Sequence, residues 1–467
     1  MKKILTVEVG LICPECVKKQ EQIYRLREEN KRLKAKLGRQ QQQISEGYFG
    51  CSTPSAQQPI KNNTNNDNPR KNGGAKGGHV GKGRKRYSAD EADRIEPIEC
   101  QQKICPQCQI QLENRDWLDR SVLGVKELKL DKILYKLHRR RCPLCNKLFA
   151  AKAPEVLPKF LLNNELLTHV AAEHYVDGIP MGLLEQKLAI NNGTLFNAMH
   201  QLAQLLKHVP AKLINDYRQT VVKFADETTW RNDGNNGYAW LFSTSQISIY
   251  RIRPTRSSRV AAEVLGTAPL PGVLVVDRYG AYNKAPCDIQ YCYEHLRRSI
   301  EDLVKQFPNS NEIKNFADNV VPLLSDAMGL RSLTISDDAY YNKASQLKAA
   351  IIQEMNQPAD HAAIQNMQTI FQQYAHRLYH WVDNRDIPPE NNFSERGFRR
   401  LVIARKISFG SQSDNGANTR EILMTVLHSL RKRYPNDYRK KFKLCLNQFA
   451  QNPQLDPYNF LFENDSS

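Results

Sequence analysis

No apolar run in this chain approaches the roughly 18 residues needed to span a bilayer. A membrane-spanning helix is therefore excluded on sequence. Acid is also scarce: 49 Asp and Glu stand against 67 Lys and Arg, a formal net charge of +18. Such an excess calls for an acidic partner, with DNA, RNA or an anionic membrane surface as candidates. The start, MKKILTVEVGLIC, opens like a signal peptide. Glu8 interrupts its apolar part and no small-residue cleavage site precedes Cys13, so the sequence predicts no secretion. A disulfide framework is lacking too. Six of the eleven cysteines form three C-x-x-C pairs, Cys13/Cys16, Cys105/Cys108 and Cys142/Cys145. That spacing suits metal knuckles in a reducing compartment. Cys51, Cys100, Cys287, Cys292 and Cys445 lack such pairing and are ordinary thiols.

What is present is ordinary for a globular protein, with 40% hydrophobic and 25% charged residues. A chain of 467 residues is too long for one small core and predicts about two to four structural units. Residues 1–46 carry a heptad seam, Ile23, Leu26, Asn30, Leu33 and Leu37, on a charged helix. It is either a self-associating coiled coil, with Asn30 fixing the register, or a lone amphipathic helix. Cys13 and Cys16 bind a metal across that dimer or are plain thiols at a helix start. Residues 47–99 are a basic flexible linker. Between Lys61 and Arg86 it holds eight Lys or Arg and one Asp, and Lys82, Arg84, Lys85 and Arg86 are its densest part. Such an arm tracks phosphates without reading sequence.

Residues 100–155 hold two C-P-x-C knuckles separated by thirty-three residues. Cys105, Cys108, Cys142 and Cys145 make a four-cysteine set for a structural Zn²⁺, and Arg139 and Arg140 in HRRR give this ribbon a basic edge. Residues 156–217 are helical. Their break at Asn191-Asn192-Gly193 fits either a helix-turn-helix or an ordinary hairpin. In the first case Thr194 caps the second helix, while Asn197 and His200 face outward and Asn197 is a DNA contact. The fold class is α/β: three successive strands from Val221, a short helix, the strand GVLVVD, and IQYCYEHL as a strand entering a helix. This core spans 218–300, is interrupted by a helical insertion over 301–384, and resumes over 385–433. Residues 434–467 are a C-terminal tail.

Asp226 lies in the first core strand and Asp277 ends the fourth, where open α/β sheets place their ligands. An acid in such a run is costly, and a divalent cation would offset the cost. Glu395, on a late helix that Phe398 and Leu401 would pack on the sheet, supplies a third carboxylate. Together they could hold two Mg²⁺ or Mn²⁺ ions for displacement at phosphorus, with Arg396, Arg399 and Arg400 beside them to bind phosphates. Glu227 points to the opposite face and is read as structural. Each acid alone equally fits a turn, a cap or a surface ion pair such as Glu395 with Arg399.

Several stretches together resemble the DDE transposases of the bacterial insertion-sequence 66 family over nearly the whole chain: GGAKGGHVGKGRKR, CPQC…HRRRCPLC, ADET with GYAWLF, VVDRYGAYN, CYEHLRR and PPENNFSERGFRRLVIARKISFGSQSDNGA. The resemblance implies an RNase H-like core with Asp226, Asp277 and Glu395 as its triad. It adds Arg405 and Lys406 to the DNA-facing set. It implies binding of terminal inverted repeats and target DNA in a homodimer or larger assembly, small accessory proteins of the same element, and a cytoplasmic, nucleoid-associated location with no membrane. Two motifs depart. The family usually has D-G-Y-x-x-Y where this chain has Asp277-Arg278-Tyr279-Gly280-Ala281-Tyr282, and C-W-x-H where it has Cys292-Tyr293-Glu294-His295. Cys292 is expected in the core, and His295 beside the site or on DNA. A nuclease without strand transfer and an inactive DNA-binding repressor are the alternatives.

Overall fold

The chain divides into two units, Met1–Asn65 and Asn66–Ser467. The computed structural model describes residues 88–126 and 129–463 together with Leu26 and Glu29; residues 125, 126, 129 and 395 are described by backbone alone. Leu26 and Glu29 are helical and exposed. The rest of the heptad segment, Cys13, Cys16, Cys51, Lys82, Arg84, Lys85 and Arg86 lie outside the described residues. Among the described residues, no helix is long and apolar enough to cross a membrane.

The first sheet is built on a long hairpin, β2 (Glu113–Lys126) and β3 (Lys129–Arg141). β1 (Arg94–Ile98) runs parallel to β3, and β4 (Leu148–Ala150) pairs antiparallel with it. Val122, Ile133, Tyr135 and Leu137 form its small core. The ribbon thus starts at Arg94, inside the segment expected to be linker. RIEPI has too little apolar alternation to read as a strand alone; pairing with β3 supplies what its propensity lacks.

Four helices follow: α1 (Asn164–Tyr175), α2 (Met181–Leu188), α3 (Asn192–Leu206) and α4 (Val209–Gln219). The break at 191–193 joins α2 and α3, with two corrections to the residues around it. Asn191, not Thr194, caps α3, its side chain accepting the Gly193 N–H at 2.9 Å. Asn197 is exposed. His200 instead turns toward the body, Nδ1 lying 2.7 Å from the Thr419 hydroxyl. The apolar side of α3 (Leu195, Met199, Leu202, Leu206) is wholly buried, so this helix belongs to the main core.

The second sheet has the order β7–β6–β5–β8–β9, from β5 (Val222–Asn232), β6 (Asn235–Ser243), β7 (Ser248–Arg253), β8 (Val273–Val276) and β9 (Asp288–Tyr291). β5, β6 and β7 are antiparallel; β5, β8 and β9 are parallel. Asp233 and Gly234, with φ of 50° and 75°, turn the first hairpin in the left-handed region its twist favours. α5 (Ser258–Leu265) links β7 to β8.

From β9 the chain enters α6 (Tyr293–Gln306), then α7 (Asn311–Leu330), α8 (Asp337–Met355), α9 (Ala362–Gln373) and the single turn α10 (His380–Asp383). The insertion is tied back to where it leaves. Trp381 Nε1 donates to the Tyr293 hydroxyl at 3.0 Å, Tyr340 donates to the Trp381 carbonyl at 2.9 Å, and Gln290 receives the His380 N–H at 3.0 Å. So α11 (Asn392–Ser408) begins beside the end of β9.

α12 (Asp414–Arg433) packs along β7. The N–H groups of Ser248, Tyr250 and Ile252, on the outer edge of β7, donate to Ser429 Oγ (2.9 Å), Thr425 Oγ1 (3.0 Å) and Glu421 Oε1 (2.7 Å). Every second strand residue, about 6.7 Å, meets every fourth helix residue, about 6 Å, so the two repeats stay in step for three bonds.

The expected tail is not one. α13 (Tyr438–Gln451) buries Phe442, Cys445 and Leu446 and packs on α1. Apolar residues at three-four spacing were present, but the basic RKKFK start masked them. Phe442→Ala is expected to cost about 3–5 kcal/mol in urea unfolding; a change within about 0.5 kcal/mol would make α13 an ornament on the surface.

Candidate active site and four-thiol cluster

The register of β5 against β8 brings two acids together. Phe224 pairs with Val275, and Asp226 and Asp277 each follow by two residues. Both carboxylates thus lie beyond matched positions of neighbouring parallel strands, on the side-chain face of Phe224 and Val275. Both are half-buried. Asp226 Oδ1 accepts the Glu227 N–H at 2.8 Å, and Asp277 Oδ1 accepts the Tyr279 N–H at 3.0 Å.

α11 starts against the same face. Phe393 stacks near Phe224 with ring centroids 5.0 Å apart, inside the cluster of Val273, Val275 and Ile387. A Cβ at Gly397 would stand 2.6 Å from Leu241 Cδ2. A side chain there would force the fully buried Leu241 to shift, and Leu241 is the β6 partner of Asp226. The turn that contains the Glu395 backbone thus lies over the Asp226 strand pair. Phe398 and Leu401 are buried as expected. Asn391 fixes the entry: its Nδ2 donates to the Ala225 carbonyl at 2.9 Å and its N–H to Cys292 Sγ at 3.1 Å. Cys292 is accordingly a core thiol. His295 is half-buried on α6 with a buried, unpartnered Nδ1.

The basic residues separate into two groups. Arg396, Arg399 and Lys406 are exposed on α11. Arg400 is also exposed but donates to the Asp177 carbonyl at 3.2 Å. Arg405 turns inward, bonding Thr228 Oγ1 at 3.0 Å and the Thr229 carbonyl at 2.8 Å, and so ties α11 to β5. Arg139 is clamped by both carboxylate oxygens of Asp116. Arg140 is half-buried with an unpartnered Nε. The G-S of the late motif also has a structural job. Gly410 (φ 122°) passes so close to the Arg231 carbonyl that a Cβ would overlap it, and Ser411 Oγ accepts from Trp230 Nε1 at 3.1 Å.

Glu227 turns to the other face, as the alternation of β5 requires. There Arg256 Nε donates to Oε1 at 2.8 Å, its Nη2 bonds the same oxygen, and the Tyr282 hydroxyl donates to Oε2. Burial raises the Glu227 pKa, these hydrogen bonds oppose that rise, and the Asp277 charge adds to it. The Tyr282 pKa is raised well above its usual value, by burial first and then by Glu227, Asp226 and Asp277. Sequence reasoning missed Arg256, which nothing in RPTRSSR marks; Tyr279 and Tyr282 stood in a quoted motif but were given no role.

In the first sheet the two knuckles repeat one another. Cys105 accepts from Gln109 and Cys142 from Asn146 through backbone bonds of 2.8 and 2.9 Å, and Gln109 and Asn146 share a φ of 54°. The sulfurs of Cys105, Cys108, Cys142 and Cys145 all lie within 4.8 Å of one another. None is in a disulfide. Burial first and then the neighbouring thiols push the Cys108 pKa up to about 12. Four thiols held this close are a donor set for a metal ion. Among the described residues no other such group joins three or more Cys, His, Asp or Glu.

Residues 159–419 match the model of the transposase IS66 family, more than half of the chain. The chain belongs to that family. The match covers α1 to the start of α12, including both aspartates and Glu395. Two relatives come from Sinorhizobium fredii (strain NBRC 101917 / NGR234): uncharacterized protein y4jD, 24% identical over 44% of this chain and 40% of its own length, and uncharacterized protein y4qI, 23% identical over 58% and 56%. The chain thus spans about half the length of these relatives. The HTLV-2 integrase catalytic core domain in complex with magnesium (trimeric form) is 12% identical, with 26% of this chain and 91% of that chain covered at a TM-score of 0.13; so low a score carries no argument.

Metal analysis of the purified chain is expected to give about one tightly bound ion, lost in Cys142→Ser. The same metal content in both would remove the four-thiol cluster as its site.

Proposed function

We propose that the protein is a DDE transposase that binds the terminal inverted repeats of its element, cleaves their 3′ ends and joins them to target DNA. The observation that carries this reading is the register that sets Asp226 beside Asp277, with the first turn of α11, bearing Glu395, over the same face. Three antiparallel strands continued by two parallel ones, with Asp226 just past the stretch of β5 paired to β8 and Asp277 just past β8, support an RNase H-like core. Family membership points the same way.

Asp226, Asp277 and Glu395 would hold two Mg²⁺ or Mn²⁺ ions. When bound, these lower the pKa of the attacking water or 3′-hydroxyl and stabilise the leaving oxygen of an in-line displacement. The strand register sets the spacing of the two aspartates. Asn391, Gly397 and Phe393 set how closely the glutamate helix approaches. Arg396, Arg399 and Lys406 face solvent and are suited to DNA phosphates. Arg405 holds the helix, so its loss acts on position rather than on DNA directly. Asn197 on α3 is a further DNA contact, as are the arm residues Lys82, Arg84, Lys85 and Arg86. The four thiols carry a structural Zn²⁺ that fixes a ribbon whose own core is small. A homodimer or larger assembly would bring two DNA ends together in the cytoplasm, with small accessory proteins of the element as further partners.

The test is incubation of purified protein and Mg²⁺ with a repeat-ended duplex, scored for joined products. Asp226→Asn, Asp277→Asn and Glu395→Gln are each expected to lower joining by about a thousandfold or more, the scale on which residues acting as a unit are lost, with duplex binding retained. Full joining in any one removes that residue from the triad. Cleavage without joining leaves a nuclease, and binding without either leaves a repressor.

A further inference from the structure

Glu227 is a further acid on β5, directly after Asp226, and the catalytic reading does not use it. Its side chain is 1% exposed. A buried carboxylate without a counter-ion is among the most costly features a fold can carry. Here it directly follows Asp226 and lies within the field of Asp277, so its charge adds to two others.

One cation answers it. Arg256, in the segment between β7 and α5, places two guanidinium nitrogens on Glu227 Oε1. The same guanidinium lies over the Tyr279 ring, 3.7 Å from its centroid, and the Tyr279 hydroxyl donates to the Arg256 carbonyl. Tyr279 in turn gives its N–H to the Asp277 carboxylate at 3.0 Å. Tyr282, at the end of the same loop, holds the other oxygen of Glu227 and packs on Trp240. A continuous set of contacts therefore runs from Glu227 through Arg256 and Tyr279 to Asp277. It fastens the 277–282 loop to β5 at the residue after Asp226.

We infer that Arg256 is a positioning residue for the Asp226–Asp277 pair: it neutralises Glu227 on the face behind them and, through Tyr279, fixes the loop that presents Asp277. This rests on the two aspartates being metal ligands. The guanidinium bonds Glu227 and stacks on Tyr279, and it acts on the pair through them. Without it the Glu227 charge stands uncompensated, repels Asp277, and the loop loses the guanidinium on which Tyr279 stacks. Removing the Glu227 charge as well takes away the repulsion, and Tyr282 still has an oxygen to bond.

The experiment is Mn²⁺ titration of the full chain, followed by electron paramagnetic resonance of the free ion, with no DNA and no turnover. Arg256→Leu is expected to weaken Mn²⁺ binding about tenfold or more, the scale on which loss of a group that orients a metal ligand acts. Glu227→Gln combined with Arg256→Leu is expected to recover most of it. Should Arg256→Leu fail to fold, a double variant that folds and binds Mn²⁺ supports the inference, and one that also fails overturns it. Unchanged binding in Arg256→Leu, or a loss that Glu227→Gln does not relieve, likewise overturns it. Asp226→Asn runs in parallel. If it binds Mn²⁺ like the parent chain, the metal-site reading itself fails; if it loses the ion while Arg256→Leu does not, only the role of Arg256 falls.

Discussion

Everything at the candidate site follows from one electrostatic constraint. Carboxylates that work together must be brought together, and like charges at close range resist it. The fold meets this with a rigid geometry. β5 and β8 are buried neighbours in the middle of a five-stranded sheet, so Asp226 and Asp277 cannot drift apart without breaking register. The acid that follows in sequence is sent to the opposite face, where it has its own cation. Arg396, Arg399 and Lys406 are exposed on the helix above the pair.

The central sheet was legible in the sequence for a simple reason. Its strands are short apolar runs ended by polar turns, and its acids stand where apolar periodicity makes acids expensive. The four-cysteine knuckles were legible because their spacing is a covalent-scale signal. Other features were not. β1 is a strand through its neighbour, not its own composition. α13 was hidden by the lysines and arginines on its solvent side. The helix resembling a recognition helix showed its apolar face clearly, but sequence could not say that the opposing face at His200 would meet Thr419 rather than solvent. Arg405 and Arg139 looked like free cations because charge is visible in a sequence and its partner is not. The Arg256 contact with Glu227 joins positions 29 apart across an intervening hairpin, with no pattern linking them.

The side chains of α12 that bond the outer N–H groups of β7 have a consequence in time. Ile252 and Glu421 are 169 residues apart in the chain. At ordinary synthesis rates of about 5–20 residues per second, roughly 10–30 s pass between the making of the strand and of the helix that covers it. Throughout that interval the sheet has an open margin on which another nascent chain could template. The finished protein closes this margin with a serine, a threonine and a glutamate. Growth of the sheet from that side is thereby excluded once α12 is in place.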